Sequence, residues 1–207
     1  KVILALRNEV DTRKISAGAM QERMAILVLD LLNEVNRTAL YSRNPEVKEL
    51  LNAHLFLMYA KEYFGELRAK LSEMLLSGAD TGAGLSEFAS LKGRYEQNME
   101  RFQQNTSEAL KEFASQEMPG AANVSTRKTM ERVYRSTGGS LPVTYGAWWT
   151  NGVSHLNSLK RIEDQSTLSI RRTAEAQLKA ISDLMTRSIV IVIVLMLLIT
   201  ALLYVII

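Results

Sequence analysis

The sequence predicts an all-α protein, an antiparallel helical bundle whose last helix continues into a transmembrane helix. Three observations predict it. Apolar residues recur at steps of three and four, as in Met20, Met24, Leu27 and Leu31, and again in Phe64, Leu67, Leu71 and Met74. That spacing is a seam for helix packing. Period-two alternation, the mark of half-buried strands, is scarce. Finally, Ser188 to Ile207 reads SIVIVIVLMLLITALLYVII, with no charge, proline or glycine. As a helix this run spans about 30 Å, the thickness of a bilayer core. Its Val and Ile content does not argue for a strand, because a lone strand in lipid leaves its backbone groups unpaired.

A first helix is expected over residues 2–43, roughly 60 Å if unbroken. Asn44-Pro45-Glu46 starts a second, with Asn as N-cap, Pro in the first turn and an acid at the positive end of the dipole. That helix, 46–77, ends in the glycine-rich turn SGADTGAG, Ser77 to Gly84. A third over 85–117 runs to the loop MPGAANVS, Met118 to Ser125. A fourth covers 125–136 and is followed by the loop STGGSLPVT, Ser136 to Thr144. The fifth runs unbroken over 145–207, from the soluble part into the membrane. Pro45, Pro119 and Pro142 all stand at these breaks. The contrast between a long first helix and the short one at 125–136 points to two bundle modules stacked end to end, sharing the long first and last helices. Residues 1–187 are then one helical domain and 188–207 the transmembrane helix. The chain begins with Lys and ends inside its apolar run, so it reads as a piece of something longer. The segment VILAL, Val2 to Leu6, is too short to establish an earlier span.

Composition narrows the function. Net charge is +3 from 25 basic and 22 acidic residues, well mixed and without a Lys/Arg tract, so nucleic acid is not an expected partner. The absence of cysteine excludes disulfides, zinc ribbons and thiol catalysis. His54 and His155 lie far apart and read as ordinary helix residues, so no metal site is expected. DTGAG (Asp80 to Gly84) and STGGS (Ser136 to Ser140) lack the Lys-Ser/Thr of a nucleotide loop and a preceding strand, and read as turns. No nucleophile elbow is present. Neither an enzyme nor a cofactor is expected. Trp148 and Trp149 pack at the start of the last helix or lie at an interface or lipid-facing surface. Asn36, Asn105 and Asn123 each open an Asn-x-Ser/Thr triplet, which matters only in a glycosylating compartment.

Glu22 and Arg23 sit directly beside the first apolar seam. If the first two helices turn near Arg43–Pro45, residue 66 stands level with Arg23, and Arg68 lies about 3 Å further along the axis. Two guanidiniums beside a core need an anion. One reading is an ion-pair lattice with Glu22, Glu62 or Glu66, worth little if exposed. The other is a small planar oxyanion, nitrate or a carboxylate, which suits the forked donors of arginine. Gly65 and the Gly18–Ala19 stretch either leave space for such a ligand or mark close helix contact.

At these residues the chain resembles the nitrate- and nitrite-sensing, NIT-type, sensor domains. MQERMA, Met20 to Ala25, is similar to the family's Gln-x-Glu-Arg-Gly or Gln-Glu-Arg-Gly element. AKEYFGELRAKLSEMLLSG, Ala60 to Gly78, is similar to its Lys-Glu-x-x-Gly-x-Glu-Arg-Ala element, and WWTNGVSHLNSLKRIED, Trp148 to Asp164, to its later Trp-then-Arg-Ile/Leu segment. Met24 stands where the family has glycine, and Leu67 where it usually has glutamate. The resemblance implies a helical input domain of a bacterial chemoreceptor or sensor kinase in the inner membrane, with residues 1–187 facing the periplasm or cell exterior. It implicates Arg23 and Arg68 in binding a small anion. Homodimerisation, contact with membrane lipid and signalling by helix displacement are the accompanying expectations. The alternative is a membrane-anchored helical scaffold or protein-interaction domain without a small ligand.

Overall fold

A computed structural model of the chain describes residues 8–9, 12, 15, 17–42, 44–77, 82–136, 141 and 143–206. The helices are α1 (Ala17–Tyr41), α2 (Pro45–Ser77), α3 (Gly82–Asn105), α4 (Glu108–Glu117), α5 (Ala121–Tyr134) and α6 (Tyr145–Ile206). No strand occurs among the described residues. The all-α reading holds.

The first helix is shorter than expected. Thr12 lies in a turn and Ile15 in a bend, so no single helix runs from residue 2 to residue 43. The reason is local. Between Asn8 and Ser16 only Val10 and Ile15 are apolar, too few for a seam. Thr12 closes a helical turn instead, its N–H at 3.0 Å and its hydroxyl at 2.6 Å both donating to the Asn8 carbonyl. With 25 residues, α1 is about 38 Å long. Asn44 caps α2 as its sequence predicts, its side-chain oxygen accepting the Val47 N–H at 2.9 Å.

The expected third helix is two helices. It breaks at Thr106–Ser107, where Ser107 takes an extended backbone (φ −66°, ψ 152°) and its carbonyl accepts the Leu110 and Lys111 N–H groups. Glu108 then occupies the first turn of α4 and favours its positive end. Gly82 to Gly84, read as part of a turn, belong to α3, and α5 starts at Ala121, inside the expected loop. Residues 78–81 and 137–140 lie outside the described residues.

The chain divides into two units, Lys1–Ser166 and Thr167–Ile207. The first has one core, in which Phe64, Leu67, Leu71, Phe88, Phe102, Trp148, Leu159 and Ile162 are almost completely buried. Burying a large apolar side chain of this kind contributes about 1.5–3 kcal/mol. In this unit α2 and the first part of α6 run antiparallel, since His54 meets Ser166, Lys61 meets Glu163 and Arg68 meets Trp148. The second unit is the remainder of α6. Among the described residues α6 is the one helix long and apolar enough to cross a membrane, with mean hydropathy 2.1 in its most apolar window and none of that window buried.

Candidate functional site

The seam between α2 and α6 gathers two of the three family-like elements. Phe64 packs on His155 with ring centroids 4.4 Å apart, and lies within 6.2 Å of Trp148. Trp148 is buried and donates its indole N–H to the Arg68 carbonyl at 3.1 Å. Lys61 is ion-paired with Glu163, and the His54 Nδ1 meets the Ser166 hydroxyl at 3.1 Å. Burial lowers the His54 pKa, the Glu163 carboxylate acting against it.

Arg68 lies at the end of this seam. Its guanidinium carbon stands 4.3 Å from the centroid of the half-exposed Trp149 ring, which itself stacks on Tyr145. Such a contact is worth about 0.5–2 kcal/mol and leaves the N–H edges of the guanidinium free for in-plane acceptors. Gly152 makes this path possible. A Cβ there would come within 2.9 Å of the Arg68 Cδ and 3.2 Å of its Cγ. Gly65, by contrast, has open space around it, so close helix contact is not its reason. Among the described residues no carboxylate pairs with Arg68. Burial lowers its pKa and the neighbouring Tyr145 opposes that, which leaves an arginine cationic at any physiological pH.

Arg23 has a different setting. It is exposed on α1 and bonds the Glu9 carboxylate through Nη1 at 2.6 Å. No hydrogen bond or ion pair among the described residues joins it to Arg68, Glu62 or Glu66. Glu62 and Glu66 are half-buried, and burial raises both carboxyl pKa values. Nearby Glu62 and Glu87 raise Glu66 further, and Arg94 opposes them. The Glu22 side chain lies outside the described residues.

Sequence reasoning missed a buried polar network in the middle of the bundle. His155 is fully buried and is no ordinary helix residue. Its Nδ1 meets the Asn123 side-chain oxygen at 2.9 Å and its Nε2 the Tyr95 hydroxyl at 2.8 Å. With the Asn123 oxygen as acceptor, Nδ1 carries the proton and Tyr95 donates to Nε2. The Asn123 amide donates to the Glu117 carbonyl and the Ser158 hydroxyl. Arg161 closes the chain, donating to Ser158 at 3.0 Å and to the Glu117 carboxylate at 2.7 Å. Burial holds the His155 pKa down at about 4, the Arg127 charge adding to the effect, so the ring is neutral at physiological pH. Desolvation also raises the Tyr95 hydroxyl pKa. Asn123 is thus a core residue, whatever its triplet. The spacing His155, Ser158, Ile162 on one helix face was the available signal, since it places a histidine and a serine on a packing stripe.

Among the described residues no group of acidic, histidine or cysteine side chains could hold a metal ion. At the end of the seam the arrangement presents a guanidinium laid on an aromatic face, with no carboxylate partner among the described residues. No curated protein matches the chain, and no solved structure matches it. The family model described as nitrate and nitrite sensing matches residues 3–171, which takes in α1 to α5 and the whole α2–α6 seam. The chain therefore belongs to the nitrate- and nitrite-sensing family.

Proposed function

We propose that this chain is the input domain of a membrane signal-transduction receptor, such as a chemoreceptor or sensor kinase, and that it binds a small planar anion of the nitrate or nitrite kind through Arg68 and Arg23. The observation that carries this reading is the environment of Arg68: a guanidinium laid on Trp149, admitted by Gly152 and without a pairing carboxylate among the described residues. An anion meeting its free edge would gain charge-assisted hydrogen bonds at little reorganisation cost. Arg23 would exchange its exposed Glu9 partner for the same ligand, since exposed pairs contribute only about 0.2–1 kcal/mol.

Signalling follows from continuity. Trp148 and Trp149 stand near the start of α6, and the same helix continues through the apolar run after Ser188. A ligand that binds one arrangement of α2 and α6 more tightly shifts the population toward it and displaces the membrane segment. In this reading residues 1–187 lie outside the inner membrane of a bacterium, residues 188–207 cross it, and two copies associate. Any catalytic output belongs to another module. One observation favours the alternative, a membrane-anchored scaffold or protein-interaction domain without a small ligand: Arg23 already has an acidic partner in Glu9.

The test is calorimetric titration of the full chain in detergent with sodium nitrate, sodium nitrite and sodium chloride. Saturable nitrate or nitrite binding is expected, weakened about tenfold or more in Arg68→Gln. Gly152→Ala should weaken it too, by pushing Arg68 off Trp149, with little loss of thermal stability. Absence of saturable binding, or binding indifferent to Arg68→Gln, supports the scaffold instead.

A further inference from the structure

We propose that the cleft between α3, α4 and α5 is a second ligand site, one that takes a small organic carboxylate with a short apolar body. The cleft has a volume of about 400 Å³ and is lined by Gln103, Lys111, Ser115, Met118, Pro119 and Arg127, among others. That volume is at the small end of the range for ligand sites, about 300–1,000 Å³. It lies within the first compact unit and involves neither Arg23 nor Arg68.

The chemistry of the lining selects the class. Arg127 makes no hydrogen bond, ion pair or ring contact among the described residues, so its forked donors are available. Lys111 is held at 2.6 Å by Glu108, whose side chain is almost fully exposed, so this partner is readily exchanged. The Ser115 hydroxyl donates to the Glu112 carbonyl and retains its own acceptor capacity. Met118 and Pro119 add an apolar wall. An inorganic anion would meet the two cations and waste that wall. A monocarboxylate with two or three carbons uses both.

Arg127 also reaches the buried network. Its charge acts on both Tyr95 and His155, opposing the effect of burial at Tyr95 and adding to it at His155. An anion on Arg127 cancels part of that field, so occupancy of the cleft is reported at a histidine in the bundle centre. The segment Glu117–Asn123, whose ends bond Arg161 and His155, runs along the cleft between Ser115 and Arg127 and gives a second path to α6.

The experiment titrates the full chain in detergent with sodium propionate, against sodium chloride at equal ionic strength. Calorimetry is read alongside the assigned ring resonances of His54 and His155. Saturable binding is expected, with His155 shifting and His54 unmoved. Arg127→Gln should weaken it about tenfold or more, Lys111→Gln less, and Arg68→Gln not at all. No saturable heat beyond chloride overturns the proposal, as does binding unchanged in both Arg127→Gln and Lys111→Gln. Binding abolished by Arg68→Gln places propionate in the other site and also overturns it. Failure of nitrate to bind tests only the Arg68 reading.

Discussion

Two stretches of one helix, α6, behave as different materials. From Tyr145 to Ser166 every third or fourth residue is engaged: Trp148, His155, Ser158, Leu159, Ile162 and Ser166 are buried. From Leu168 on, Leu178, Ile181, Leu184 and Met185 are all more than half exposed, and the apolar run from Ile189 onward follows them. The first stretch is amphipathic and spends its polar groups on neighbouring helices. The second leaves its large apolar side chains exposed among the described residues. Both are helical, but the second ends in a charge-free apolar run with mean hydropathy 2.1 in its most apolar window and none of that window buried, so burial does not track hydrophobicity along this helix. A bundle surrounds the one, and the other is long and apolar enough to cross a membrane.

The largest effect that tests this contrast is expected at Trp148. Trp148→Ala should lower the unfolding free energy by about 3–5 kcal/mol, because it opens a cavity beside Phe64 and removes the indole donor from the Arg68 carbonyl. Denaturant unfolding of the full chain in detergent measures it. A loss no larger than that of an exposed site would mean that the bundle half is not packed as described.

A second effect is a pH dependence specific to the bundle half. The folded-state pKa of His155 is depressed from 6.5 to about 4, so the unfolded chain binds its proton first. The associated stability is fully present above about pH 6.5, and it is lost as pH falls toward 4. The full loss is about 3 kcal/mol relative to a variant with no proton to take up there, such as His155→Gln. Parallel pH profiles of the two proteins would refute the buried, neutral histidine.

The smallest effect is expected in the other half. Leu178 is 68% exposed, and Leu178→Ala should change stability by less than about 0.5 kcal/mol. A larger loss that grows on dilution would sharpen the comparison by identifying a second copy packed on this face.

Much of the fold was legible beforehand because it depends on local rules. The Asn44 cap, the start of the last helix at Tyr145 and the apolar run after Ser188 each follow from a few adjacent residues. The break at Thr106–Ser107 was legible too, as Ser before an acid at a helix start and as the six polar residues from Gln103 to Glu108 that interrupt the apolar spacing, but no proline or glycine marks it. The failure of the first helix before Ala17 reflects too few apolar residues to anchor it.

The candidate site was less legible. Sequence singled out Arg68 through its neighbours on α2, but its real setting is Trp149 and Gly152, more than eighty residues away. Arg23 was matched with acids on α2 by hairpin register, whereas the structure gives it Glu9, an acid from before α1. His155 looked unremarkable because a lone histidine on a stripe carries no sign of its partners.

By itself, then, the amino-acid sequence determined the helices, most of their ends, the apolar span and the family, since periodicity, capping and composition act over a few turns. Only the tertiary structure decided which charges are paired and which are free. Pairing depends on where distant side chains meet and on how much water remains between them. That is why two arginines in similar sequence settings end in different places: Arg23 on a surface carboxylate, and Arg68 on an indole ring with its donors unspent.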